Sequence, residues 1–455
     1  MPLNIFSKGV RRFKVDDREL SSKEKVLFRK LIKAAELIAP IYLKQKNDKY
    51  PGANFYPKDA TKEEIQKAAE DNPLILNPYT MVERDRLGKL IAIPYHIKFQ
   101  KELKPVAKVL KEAAALPENQ NFSDYLNGRA EALLNGNYVE NDILWLTTET
   151  FKFGFFVGPF EKYQDKLFFA KCSYQAWAGI LDEQKTKEAE KLKRVFLTSR
   201  RKFLPGSEKV DVSKLGVRVD KTAIFSGLIA DFMFTGTNLP YDVNLMEKYG
   251  SNLTIFETSL ELKFERDHFP IFKTIFDKDF QKNYSKEELF KGSLKCIVLH
   301  EIAHSLIRYR DAETRLKDLF PILDELFAYI LGIKGCGTVL LKGAMSQKEL
   351  EAILVMHICR NFTWWLDYLK NPSVYQYALG AAIAHNFFSK ECGIKEKDGI
   401  SWPDFVKLMI GVDQMSRLLE YHIALGTYQE AEKFIKKYGS FDIFQHFYPQ
   451  LKKRI

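Results

Sequence analysis

Residues 294–307 read LKCIVLHEIAHSLI, an apolar run interrupted by His300, Glu301 and His304. The three form an HExxH motif. On an α-helix, residues four apart lie one above the other on the same face, so two imidazoles at this spacing can grip one metal ion. Glu301 follows directly on His300, where it can reach a metal-bound water as general base. Nitrogen and oxygen donors with one position left for water suit Zn²⁺, one per chain. The apolar flank predicts that the motif sits on a buried helix.

About twenty residues later, the stretch FPILDELFAYILG (residues 320–332) predicts a second helix. It holds Glu325 amid an apolar stripe of Ile322, Leu326, Tyr329 and Ile330. A carboxylate there needs a partner, because an unpaired buried charge is costly. A metal ion is the simplest one, and His300, His304 and Glu325 would make a His₂Glu set of the catalytic type. The bland alternative is a plain helix with two surface histidines.

The chain has 455 residues, enough for two or three domains' worth of core, with 46% hydrophobic and 28% charged residues, as in soluble globular proteins. Phe (35) and Tyr (21) are abundant, which means large packing contacts or a cleft for extended ligands. Net charge is +11, but the lysines are dispersed among nearly as many acids. The densest basic run, KLKRVFLTSRRKF (residues 191–203), is at helical spacing and reads as a solvated face, so no nucleic-acid partner is expected. Cys172, Cys296, Cys336, Cys359 and Cys392 are odd in number, scattered, and without a CxxC pair, which fits a reducing cytoplasm. The N-terminus lacks the apolar core of a signal peptide, and no run is long enough to span a membrane. A cytoplasmic monomer with no membrane partner is the expectation.

Along the chain, residues 1–20 read as a basic, loosely attached arm. Helical patterns cover residues 21–43, the stretch opened by Thr61 and Glu64, and the Ala-rich stretch 105–116. GKLIAIPYHIKF (residues 88–99) reads as a strand turning into a helix, and KFGFFVGPFEKY (residues 152–163) as β-like. Residues 164–203 read as helical and residues 209–260 as strands and loops. From about 283 to 435 the pattern is nearly all helix, broken by the glycine-rich loop KGCGTVLLKGA (residues 334–344). Ser346 with Glu349, and Ser401 with Asp404, mark helix starts. The fold class is mainly α with a small β component. Glu161, Tyr163 and Asp165 form a polar knot in PFEKYQD, read either as a substrate-shaping floor or as a helix cap with interlobe hydrogen bonds.

Six stretches, in order, resemble the dipeptidyl peptidase III family. They are LIAIPYHIKF, GPFEKYQDKLFFAKCSYQAWAG, TNLPYDVNLMEKYGS, VLHEIAHSL, LDELFAYILGI and GTYQEAEKFIKKYG. The likeness spans roughly residues 70–440. It is strongest to a short branch with a five-residue HExxH, which resembles the C-terminal part of plant Nudix hydrolase 3. The resemblance implies a two-lobed zinc metallopeptidase: a helical zinc lobe and a lobe with a small mixed sheet, around a wide cleft. By that template the substrate-wall lobe takes residues 21–183 and 212–256, and the zinc lobe takes 184–211 and 257–455. It implies His300, His304 and Glu325 as zinc ligands and Glu301 as general base. Asp324 matches a carboxylate that orients a ligand histidine, and Asn238 an asparagine that binds the substrate's N-terminal amine.

Some positions depart from the family. Tyr329 stands where a second acid supports a zinc histidine; a phenol there can still accept a hydrogen bond. Tyr241 replaces an asparagine that helps hold the amine, Phe156 a tyrosine that polarises the scissile carbonyl, Gly154 a glutamate that pairs with the amine, and Gln175 a glutamate. For the residue that stabilises the transition state, His357 and Arg360 come first, with His385 and Tyr377 as further positions. The function these residues imply is zinc-dependent hydrolysis of short peptides, with metal-bound water attacking the carbonyl and Glu301 taking its proton. The alternative is a catalytically weak or inactive zinc-bearing peptide-binding protein of the same fold.

Overall fold

The computed structural model describes residues 5–148, 151–197, 204, 214–240, 243–306, 309 and 311–452. The chain divides into two compact units. Unit 1 comprises Met1–Asp182, Val219–Phe234 and Pro240–Tyr249; unit 2 comprises Glu183–Arg218, Thr235–Leu239 and Gly250–Ile455.

Strands are β1 (Ile5–Ser7), β2 (Val10–Arg12), β3 (Thr80–Arg84), β4 (Leu90–Pro94), β5 (Phe153–Pro159), β6 (Tyr174–Leu181), β7 (Leu215–Gly227), β8 (Gly236–Leu239), β9 (Ser251–Phe256), β10 (Ile394–Lys397) and β11 (Ile400–Pro403). The longer helices include α1 (Ser22–Glu36), α2 (Gln100–Ala114), α3 (Gln120–Asn135), α4 (Glu183–Leu197), α5 (Lys286–His304), α6 (Phe320–Leu341), α7 (Gln347–Lys370), α8 (Tyr375–Glu391) and α9 (Phe405–Ala424). The fold is mainly helical with a small β component.

In unit 1 the strands run in the order β1-β2-β7-β6-β5, with antiparallel pairing. Every residue of β5 is buried, so FGFFVGP shows no in–out alternation and reads as a strand covered on both faces. Helices α1 and α2 pack on one another, and α1 lies against β5 and β6. The start of the chain corrects the expected loose arm. Val10, Arg11 and Arg12 pair with Ser226, Phe225 and Ile224, so β1 and β2 extend the sheet. The expected helical stretch 164–203 holds β6 as well as α4. Tyr174–Leu181 is rich in aromatic and small residues that fit between two neighbouring strands better than on a helix. Of the basic run at 191–203, residues up to Leu197 close α4 with Leu192 and Phe196 buried, and the rest lies outside the described residues.

Unit 2 is built on helices. Helix α5 packs against α6 and α7, α7 against α8, and α6 against α8 and α9. Ser285 with Glu288 caps α5, and Ser346 with Glu349 caps α7; each is a reciprocal box in which both orphan N–H groups are satisfied. Ser401 does not start a helix. It lies in β11 and donates to Glu396, while Asp404 caps α9. The glycine-rich stretch 334–344 is not a loop either, because α6 runs on to Leu341. Gly335 within it and Gly332 just before it serve close packing. A side chain at Gly335 would overlap the Phe196 ring, and one at Gly332 would sit 3.0 Å from the Leu299 carbonyl, so α6 can press directly on α5.

His268, in the turn Phe264–His268, is 5% exposed. Burial, aided by the nearby charges of Arg360, Lys263 and Arg266, pushes its pKa down to about 3 from an ordinary 6.5. Between those values the unfolded chain binds the extra proton and the folded chain does not. The stability His268 contributes is therefore full above pH 6.5 and is lost progressively as pH falls toward about 3. His268→Leu is expected to flatten the slope of unfolding free energy against pH in that window, as read by denaturant titration. An unaltered slope would rule this account out.

Candidate metal centre

All of the trio predicted to bind metal belongs to unit 2. His300 and His304 stand on the last turns of α5 and Glu325 on the second turn of α6. Their donor atoms all lie within 4.8 Å of one another. His300 Nε2 and His304 Nε2 are 3.2 Å apart. Glu325 Oε2 is 3.6 Å from the first and 3.8 Å from the second. Two nitrogens bound to one tetrahedral zinc at 2.0–2.1 Å would stand about 3.3 Å apart. The spacing and the N₂O donor set therefore fit a zinc ion.

Neighbours hold these side chains in place. Asp324 Oδ2 lies 3.4 Å from His304 Nδ1, which leaves Nε2 facing the trio. Burial works against a charged His304, but the carboxylates of Asp324 and Glu325 outweigh it and raise its pKa. His300 goes the other way: burial, reinforced by His304, Arg360 and His357, holds it neutral. Glu301 faces β8, where a side chain at Gly236 would stand 2.8 Å from its carboxyl. Burial raises the Glu301 pKa to about 7; Glu325 adds to the rise, while His304 and Arg360 oppose it.

Tyr329 does not accept a hydrogen bond from a metal-site histidine. Its ring stacks on His300 with centroids 3.6 Å apart and planes 15° from parallel, and its buried hydroxyl has no partner. The His300 Nδ1 atom is likewise buried without a partner. Arg360 Cζ lies 3.9 Å from the Tyr329 ring centre. Two groups this close cannot share one face, so the ring separates the guanidinium from His300. His357 is 4% exposed, with neither ring nitrogen hydrogen-bonded. His385 bonds Glu396 at 2.7 Å and packs on Phe362 and Phe444, as a core histidine does.

Asn238, on β8, donates to Ser305 Oγ at 2.8 Å and keeps a buried carbonyl oxygen without a donor. Phe156 is no substrate-facing residue. It is 1% exposed, stacks on Trp177, and carries the Arg129 guanidinium 4.3 Å above its ring. Glu161 is likewise buried at 4% exposure, in the loop after β5 in unit 1. Gly154 pairs with Gly179 in the β5–β6 ladder, and Gln175 is fully buried with its amide unpaired. Tyr241 lies outside the described residues.

Two residues around the centre escaped the sequence reading, Asn361 and Trp364, while Tyr377, a further position there, lies beside them. Trp364 stacks on Tyr377 with centroids 4.5 Å apart. The signal was present in the spacing, because residues 357, 360, 361 and 364 form one helical face carrying two histidine-like or cationic groups, an amide and an indole.

With this geometry in hand, comparison with known proteins gives a consistent fold. No protein-family model matches the chain. Nudix hydrolase 3 of Arabidopsis thaliana is 23% identical over 425 residues, which cover 86% of this chain and 54% of that protein. The chain thus spans about half the length of this curated relative. The structure of DPP III from Caldithrix abyssi superposes with a TM-score of 0.84 at 22% identity, covering 97% of this chain and 94% of that one. The dipeptidyl-peptidase III structure from Corallococcus sp. strain EGB gives 0.82 at 22% identity, covering 97% and 92%. The chain has the dipeptidyl peptidase III fold. No helix among the described residues is long and apolar enough to cross a membrane.

Proposed function

We propose that this chain is a zinc-dependent metallopeptidase that hydrolyses short peptides. The observation that carries the reading is the convergence of His300, His304 and Glu325 on one point, with Glu301 beside them. The fold it shares with dipeptidyl peptidase III structures supports it.

His300, His304 and Glu325 would hold the ion, which when bound supplies a Lewis acid and lowers the pKa of a coordinated water to about 7. Glu301 is the proton carrier. With its pKa pushed up to about 7 it can accept a proton at neutral pH and return it to the departing amine. Asp324 orients His304 through Nδ1. Tyr329 fixes the plane of His300 by stacking, in place of a hydrogen bond. Asn238, tied to Ser305 just beyond His304, keeps a carbonyl oxygen free to accept from a substrate amine.

A second reading is a zinc-bearing peptide-binding protein with weak or no turnover. It is favoured by the unpartnered His300 Nδ1 and by the buried Phe156 at a position expected to polarise the carbonyl. The two separate on a panel of dipeptide arylamides and longer peptides, assayed with and without a chelator. Chelator-sensitive hydrolysis is the expected result. Peptide affinity with no hydrolysis of any panel member would establish the second reading instead.

A further inference from the structure

Beside Glu325, within unit 2, a cavity of about 20 Å³ opens among Tyr329, His357, Arg360, Asn361, Trp364 and Tyr377. That is room for one or two waters, or for the end of one small polar group. Its lining is unusual in what it leaves unpaired. The Tyr329 hydroxyl, both ring nitrogens of His357 and the Asn361 Nδ2 are buried without a hydrogen-bond partner, in residues 7%, 4% and 3% exposed. Buried polar groups of a folded protein are almost always satisfied, so three side chains unsatisfied around one cavity mark a place for something that satisfies them.

Arg360 sets the sign of that something. Its guanidinium is packed over the Tyr329 and Trp364 rings, and among the described residues no carboxylate lies in ion-pair contact with it. Glu325, which lines the same cavity, is turned to His300 and His304. The guanidinium is half-buried without an anion beside it, and its planar fork matches a carboxylate. The amide N–H of Asn361 and the Tyr329 O–H add neutral donors to the same space.

We infer that this cavity is a pocket for one carboxylate group of the substrate, held by Arg360 with Asn361 and Tyr329 as further donors. The inference rests on the peptidase reading and narrows its substrate class to peptides that present a free carboxylate close to the metal centre. That carboxylate is a chain terminus or an acidic side chain. The pocket's size admits the charged end of a residue and no more. Arg360 here binds substrate, a ring's thickness away from His300.

The test is calorimetric binding of three probes to zinc-loaded and to chelator-treated protein: tetra-alanine free acid, tetra-alanine amide, and the amide of Ala-Ala-Glu-Ala. The free acid or the glutamyl amide is expected to bind about tenfold or more tightly than tetra-alanine amide, as for a hydrogen bond to a charged group. Which of the two gains identifies the source of the carboxylate. In Arg360→Gln the preference is expected to vanish, and in Arg360→Lys, which keeps the charge but not the fork, to fall part-way. Equal binding of all three probes to the wild-type chain, no binding of any, or a preference that survives Arg360→Gln would overturn the inference. Should Arg360→Gln fail to fold, the wild-type comparison and Arg360→Lys decide the matter. Hydrolysis of the same probes is scored separately. Turnover without carboxylate preference sinks the pocket and leaves the peptidase reading standing. An Arg360-dependent preference without turnover does the reverse.

Discussion

Glu301→Gln is expected to lower kcat/KM for peptide hydrolysis about a thousandfold while the protein still carries about one zinc per chain. The substitution keeps the size and most of the hydrogen bonding of the side chain and removes its ability to carry a proton. Glu301 is not among the three converging donors, so metal content reports on His300, His304 and Glu325 alone. Activity and metal analysis on one preparation therefore separate proton transfer from metal binding. A variant that keeps activity within tenfold of the parent chain would remove Glu301 from the mechanism. A variant that loses both zinc and activity would show that Glu301 supports the metal helix instead.

The second large effect is expected from His304→Ala. It removes one of three donors and also strips Asp324 and Glu325 of the imidazole they both address. Loss of an outer partner alone typically costs 10–100-fold in metal affinity, and loss of a ligand costs more. Zinc per chain should fall from about one to near zero after dialysis. Metal-linked stability should go with it: at a thousand times the dissociation constant, a ligand contributes about 4 kcal/mol. Chelator should therefore shift the denaturation midpoint of the parent chain and leave that of His304→Ala where it is. If the parent chain binds no zinc after dialysis against excess metal, the donor set has been misread.

The metal trio was legible because it rests on short-range rules. Four-residue spacing places His300 over His304, and an acid in an apolar stripe calls for a partner. The features that were not legible depend on contacts distant in sequence. The basic residues of β2 look solvated until β7 arrives from more than two hundred positions away. Phe156 matched a functional position in an ordered resemblance, yet whether an aromatic ring faces a ligand or stacks on Trp177 is decided by the neighbouring strand. From sequence, Tyr329 reads as a hydrogen-bond acceptor because a phenol can be one. Its orientation comes from how α6 lies on α5, which places the ring flat on His300. Gly335 reads as part of a loop, with Gly337 and Gly343, because glycine is a poor helix former. Tertiary packing overrides that propensity where a side chain would collide with Leu299 or Phe196.

Gly332 has a bearing on how such a centre could be transplanted. Copying His300, Glu301 and His304 onto a helix of another scaffold carries over two donors and a base, but nothing that sets how near the third donor comes. Here that separation is governed by a missing methyl group two turns along from Glu325, on a different helix from the motif. A designer who grafts the signature without the bare contact patch opposite it should expect an imidazole pair waiting on a carboxylate held too far off.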